Sequence, residues 1–274
     1  MSESERLDVI IVKVERAKDL LQDLESEVRS FIDSKPYIIG VRRESEPSQN
    51  VYFIDSIQSL PLKVSAIIGD VIHNLRTALD HLAYQLVLVG TEEEPSTHIY
   101  FPIGNDESDY INRRDRQIQG ALPQAIAEID ALTPYKGGND LLWQLHKLDI
   151  IDKHRVLITA GSAYHSVNMG ALTQRDMLNA IPSDDPDWSD FRSGIAELLP
   201  IDLSFKSDDR MFPLKHGDIL LNDVTDADPV NVEFQFQVAF GEEGVINGEP
   251  ITETLASIVT LVEEIVSKFE PHLE

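Results

Sequence analysis

Residues 62–89 read LKVSAIIGDVIHNLRTALDHLAYQLVLV. Apolar residues recur there at Val64, Ile67, Ile68, Val71, Ile72, Leu75, Leu79, Leu82 and Leu86, in steps of three and four that predict a helix. They cover so much of the circumference that the helix is expected at the centre of a bundle rather than on its surface. A polar seam interrupts them. Asp70, His73, Asn74, Thr77, Asp80, His81 and Tyr84 share one side, with Arg76 at the border and able to pair with Asp80 at i,i+4. Burying such groups is costly unless each finds a partner, so a second polar seam is expected opposite. The helix expected over 140–155 supplies one: His146, Asp149 and Lys153 share a face, with Asp152 and Arg155 close by.

Further helices follow from the same spacing. Leu7, Ile10, Val14, Ala17, Leu21, Leu24, Val28 and Phe31 form one stripe over 5–33, ended by Ser34-Lys35-Pro36. A shorter helix is expected over 123–132, and an amphipathic one over 251–269. The runs 37–41 and 51–57 flank the polar insert 44–50 and read as a hairpin. Strands are expected at 156–160, 166–169, 203–206, 219–221 and 230–240, with a short helix near 188–199 and a short extended piece at 98–103. The stretch 104–109 reads as a loop, and Arg113-Arg114-x-Arg116 as a solvated basic turn. The expected fold class is α+β, a helical bundle integrated with a mainly antiparallel sheet. It is expected as one domain over 1–274, with the bundle core in 5–155 plus 251–269 and a β-rich region in 156–245. The long stripe of the first helix predicts self-association, as a homodimer.

Composition narrows the partners. The 274 residues include 23 Lys or Arg and 48 Asp or Glu, for a formal charge of -25, and no cysteine. Disulfide frameworks, thiolate zinc sites and cysteine nucleophiles are thereby excluded. The negative field opposes non-specific binding to DNA or to an anionic membrane, and confines any RNA contact to a small basic site. The acidic runs at 92–94, 184–187 and 222–226 read as solvated loops. The opening MSESERLD lacks the basic-then-apolar pattern of a signal peptide. No apolar run approaches the ~18–20 residues that span a bilayer, so a cytoplasmic protein is expected.

The strings IHNLRTALDHLAYQL at 72–86 and LWQLHKLDIIDKHR at 142–155 resemble those of a widespread group of uncharacterised bacterial proteins. That resemblance brings no activity with it. Arg76-x4-His81 is also similar to the R-x4–6-H motif of ribonucleases of the HEPN superfamily, which are helical bundles. Thr77 stands where that family generally has Asn, Asp or His. The resemblance implies metal-independent RNA cleavage, usually completed across a dimer. Arg76 would stabilise the phosphorane charge and His81 would move protons during attack by the 2′-hydroxyl. At about 100° per residue the two lie about 140° apart around the helix, which favours a composite site in a groove between protomers. His73, Asn74, Asp80, His146, Lys153 and Arg155 would line it, and Lys147, Lys153 and Arg155 would offset the negative field.

Two other readings fit the same residues. Asp70-x2-His73 and His146-x2-Asp149 each place a carboxylate and an imidazole on one helical face. On antiparallel helices the reversed order would set Asp opposite Asp and His opposite His, a donor set suited to a divalent transition metal such as zinc, iron or manganese. Alternatively, the same His, Asp and Arg residues form a closed network that fixes helix register. The protein is then a non-catalytic ligand-binding or interaction protein with no cofactor.

Overall fold

The stripe over the N-terminal region forms helix α1 (Glu3–Asp33) in a computed structural model that describes residues 3–91, 95, 98–154, 157–182, 186–197, 202–206 and 211–273. The fold is α+β, with helices at both ends of the described chain. It divides into two compact units. The first comprises 1–30, 61–160 and 240–274, and the second 31–60 and 161–239. The hairpin near 37–57 belongs with the second unit.

In the first unit α2 (Leu62–Thr91) is the central helix. Its buried residues run from Val64 to Val87 and include Ile68, Ile72, Leu75, Leu79 and Leu82, all without solvent contact. It packs on α5 (Asp140–His154) and α8 (Ile251–Phe269), which also touch each other. From α1, Ile10, Val14, Ala17, Leu21 and Leu24 are buried. The Lys18 ammonium pairs with Glu263 of α8, and Arg6 Nη1 donates to the Leu273 carbonyl at 2.8 Å. Five of the eight stripe residues are thus buried in this unit.

Two short helices, α3 (Glu107–Gln117) and α4 (Pro123–Ala131), complete this unit together with a turn of β structure before α8. Helix α3 occupies the position where a loop and a basic turn were expected. It has little apolar surface and is fixed by polar contacts instead. The Asp106 side chain caps it at the Asp109 amide, 2.8 Å away. Arg113 pairs with Asp109 at 2.9 Å and Arg114 with Asp130 at 2.8 Å. The piece expected to be extended at 98–103 is irregular, and only Gly104 makes a bridge, to Tyr135.

The second unit begins with the hairpin β1 (Tyr37–Ser45) and β2 (Ser48–Ile57), whose turn is tighter than the polar insert suggested. Its remaining elements are β3 (Ala160–Asn168), α6 (Gly170–Ala180), α7 (Ser189–Glu197), β4 (Ser204–Lys206), β5 (Ile219–Asp223) and β6 (Glu233–Glu242). One antiparallel sheet has the order β1-β2-β5, and β3 lies between β4 and β6 in another. The end of β6 turns into β7 (Ile246–Pro250), which leads directly into α8 in the first unit. Tyr52, Ile54, Tyr164, Val167, Leu172, Leu214, Leu220 and Val232 form the core of the second unit. No described helix is long and apolar enough to cross a membrane.

Candidate functional site

Steps of three residues down α2 meet steps of three up α5, because the helices pack with their polar seams facing. Gly69 faces Asp152. A Cβ built at this position would overlap the Asp152 carboxylate, so glycine leaves room for that side chain in its present orientation. One turn further along, His73 Nδ1 lies 3.3 Å from Asp149 Oδ1. Another turn on, His146 sits beside the Arg76 guanidinium, whose charge opposes protonation of the imidazole.

This register differs by one helical turn from the alignment that a metal site needs. His73 faces a carboxylate rather than His146, and His146 faces a cation. Among the described residues no three His, Asp or Glu side chains come together in a way that could hold a metal ion. The proposed donor set Asp70, His73, His146 and Asp149 is therefore not assembled. The physical reason is the packing register, in which Asp149 faces His73 and Asp152 faces Gly69, one turn away from Asp-to-Asp pairing.

The inner end of the cluster is a closed brace. Arg76, with 5 % of its side chain exposed, bonds Asp80 Oδ1 at 2.8 Å and donates through Nη2 to the Phe101 carbonyl at 2.8 Å. The Phe101 amide in turn donates to Asp80 Oδ1 at 2.9 Å. Burial pushes the Asp80 pKa up, outweighing the attraction of Arg76 and the Phe101 N–H. Burial, reinforced by Arg76, Arg113 and Lys147, pushes His146 down to about 3, so this imidazole is neutral at physiological pH. Arg76 Nη1 and His146 Nδ1 are buried without a hydrogen-bond partner among the described residues.

Arg76 and His81 do not converge. His81 turns the other way, its Nδ1 meeting the Val9 carbonyl of α1 at 3.1 Å. Arg76 Nη2 is committed to Asp80 and the Phe101 carbonyl, and its Nη1 is buried. The basic cluster of α3 is also engaged: Arg113 with Asp109, Arg114 with Asp115 and Asp130, and Arg116 Nε with the Asn112 carbonyl. Arg155 lies outside the described residues, as do the acidic run at 92–94 and positions 184 and 185 of the run at 184–187.

The outer end of the cluster is open. Half of the His73 side chain is exposed, whereas Asp149 retains only 6 % exposure. Lys153 Nζ donates to the second oxygen of Asp149 at 2.8 Å, which leaves Oδ1 for the imidazole. Asn74 Nδ2 donates to the Asp70 carbonyl at 2.8 Å, one turn back. Burial and the neighbouring carboxylates Asp149 and Asp70 push the Asp152 pKa up. A buried carboxylate held against an exposed imidazole, with a second carboxyl group that protonates readily, is a set of parts for proton transfer. The sequence identified His73, Asp149 and Lys153 individually but paired them differently. Asp152 was noted beside that face but given no part, and the structure sets it against Gly69 on the facing helix.

A separate cleft of about 630 Å³ lies wholly in the second unit, between α6, α7 and the ends of β3 and β6. None of its residues was singled out from the sequence. No family model, curated protein or solved structure matches this chain.

Proposed function

We propose that the outer end of the α2–α5 seam is a metal-independent general acid–base site in which His73 moves the proton. The carrying observation is the contact between His73 Nδ1 and the buried Asp149. With Nδ1–H directed at that carboxylate, Nε2 is the basic nitrogen, free to take a proton from water or a substrate hydroxyl. Asp149 then stabilises the imidazolium, the part played by the buried aspartate of a Ser-His-Asp triad. Lys153 holds Asp149 in place. Asp152, protonated more readily than an ordinary aspartate, can return a proton to a leaving group.

Charge selects the substrate. Three carboxylates (Asp70, Asp149 and Asp152) surround His73, with one nearby lysine. The local field adds to the overall charge of -25 and favours an uncharged or cationic substrate over a polyanion.

The test compares wild type with His73→Ala and Asp149→Asn in the presence of EDTA. Substrates are uncharged p-nitrophenyl esters, bis-p-nitrophenyl phosphate and a single-stranded RNA. The neutral esters should be hydrolysed without a metal, at a rate about 10²–10⁴-fold lower in His73→Ala. Equal rates in all three proteins, or turnover of RNA alone, would refute the proposal.

A further inference from the structure

The cleft of the second unit contains two charges with no ionic partner among the described residues. Arg192 of α7 donates through Nη1 to the carbonyls of Leu178 and Ile181, at 2.6 and 3.0 Å, at the end of α6. Those two bonds anchor the guanidinium and leave Nε and Nη2 without a partner among the described residues. These nitrogens form the side-on edge of the fork, which takes both oxygens of a carboxylate at once. Because the guanidinium is already fixed, little further ordering is needed on binding. Glu233, the first residue of β6, also lines the cleft and makes no ion pair among the described residues.

Two other polar walls, Arg175 and Asn168, already have partners. Arg175 is saturated, with Nη1 and Nη2 on Asp223 at 2.6 and 2.9 Å and Nε on Asp176 at 2.9 Å. Asn168 Oδ1 accepts from the amides of Gly170 and Leu203 at 2.9 and 3.2 Å, so its amide nitrogen is the group left to donate. Ala171, Leu178 and Val230 supply apolar lining. The cleft thus combines an anchored carboxylate receptor, an unpaired carboxylate, an amide donor and apolar surface, in a volume within the ~300–1,000 Å³ range of small-molecule sites.

We infer that this cleft binds a small zwitterion, a free α-amino acid or a short peptide, with its carboxylate on Arg192 and its ammonium on Glu233. The site is independent of the acid–base proposal for the first unit. A purely anionic ligand would leave Glu233 repulsive, and an uncharged one would leave the side-on edge of Arg192 unmatched.

The experiment screens a pool of the L-amino acids and a pool of dipeptides against the full chain by ligand-observed NMR. The best binder is then measured by calorimetry as the free compound, the N-acetyl form and the C-terminal amide. Each block should weaken binding at least tenfold. Arg192→Gln should erase the penalty for amidation and Glu233→Gln the penalty for acetylation. Glu233 is exposed at the start of a strand, so its variant remains a folded test even if loss of the α6 anchor destabilises Arg192→Gln. Preference for amino acids over dipeptides, or the reverse, identifies which of the two the cleft takes. Absence of binding by either pool overturns the inference. So does affinity indifferent to either block, or an acetylated form that binds as well as the free compound.

Discussion

Acidification tests the α2–α5 brace through His146. In the folded protein burial and the Arg76 guanidinium hold its pKa at about 3, against an ordinary 6.5. A histidine whose pKa is depressed on folding stabilises the protein fully above its unfolded value. That contribution is lost as pH falls from about 6.5 toward 3, because only the unfolded chain then gains the proton. At pH 5 the unfolded imidazole is about 1.5 units below its pKa and mostly charged, while the folded one is still neutral. At about 1.36 kcal/mol per unit, moving from pH 8 to pH 5 costs about 2 kcal/mol through this residue. Asp80 and Asp152 act in the opposite direction. Their raised folded pKa values give stability that is present in acid and lost as pH rises through them, so the total curve mixes both signs. The difference between wild type and His146→Gln isolates the histidine. Urea unfolding followed by Trp143 fluorescence, in a Trp188→Phe background, reports on the first unit alone. The gap between the two proteins should change by about 2 kcal/mol between pH 8 and pH 5. Parallel curves would refute the assignment of His146 as a buried neutral imidazole.

Three further outcomes are expected. Arg175→Ala leaves the Asp223 carboxylate, only 9 % exposed, without its cation and should cost about 3–5 kcal/mol, measured by chemical denaturation of the second unit. Arg76→Ala should destabilise the first unit by about 3 kcal/mol for the same reason, and Arg76→Lys should recover only part of it, since both contacts are made by Nη2, one bond farther along the side chain than a lysine ammonium. Gly90→Ala should destabilise by about 1–3 kcal/mol despite the better helix propensity of alanine. The new Cβ would overlap the Gly120 carbonyl, a backbone atom that cannot rotate away. A higher melting temperature in that variant would contradict the close approach of α2 to residues 120–122.

The helices legible from the sequence were those whose stripes carry the folding energy: α1, α2, α4, α5 and α8 all lie within a residue or two of the expected positions. Helix α3 was not legible because ESDYINRRDRQ has one buried residue, Tyr110. Its stability comes from a cap and charge pairs, which periodicity does not register. Helix α6 was hidden for a similar reason, since GALTQRDMLNA buries a glycine, a leucine and an arginine rather than a stripe. The polar seams were legible as faces. Their axial offset was not, because spacing along one helix contains no information about where its neighbour starts. Gly69 faces Asp152, and a glycine inside an apolar helix is a sign of close approach. The cleft was beyond reach because Asn168, Arg192 and Glu233 come from separate elements that are brought together only by the tertiary fold.

The first unit is discontinuous, its three segments separated by both parts of the second. During synthesis α1 emerges well before α8, yet it pairs with α8 through Lys18 and Glu263, and the Arg6–Leu273 bond closes a loop of 267 positions. The part of α1 that meets α8 therefore stays uncovered while the β-rich segments are being made, and the bundle closes only when α8 leaves the ribosome. Late closure of so long a loop slows folding and leaves an amphipathic helix exposed in the interval. A ribosome stalled before residue 251 would hold a nascent chain with α1 and α2 lacking their cover, a natural substrate for chaperones.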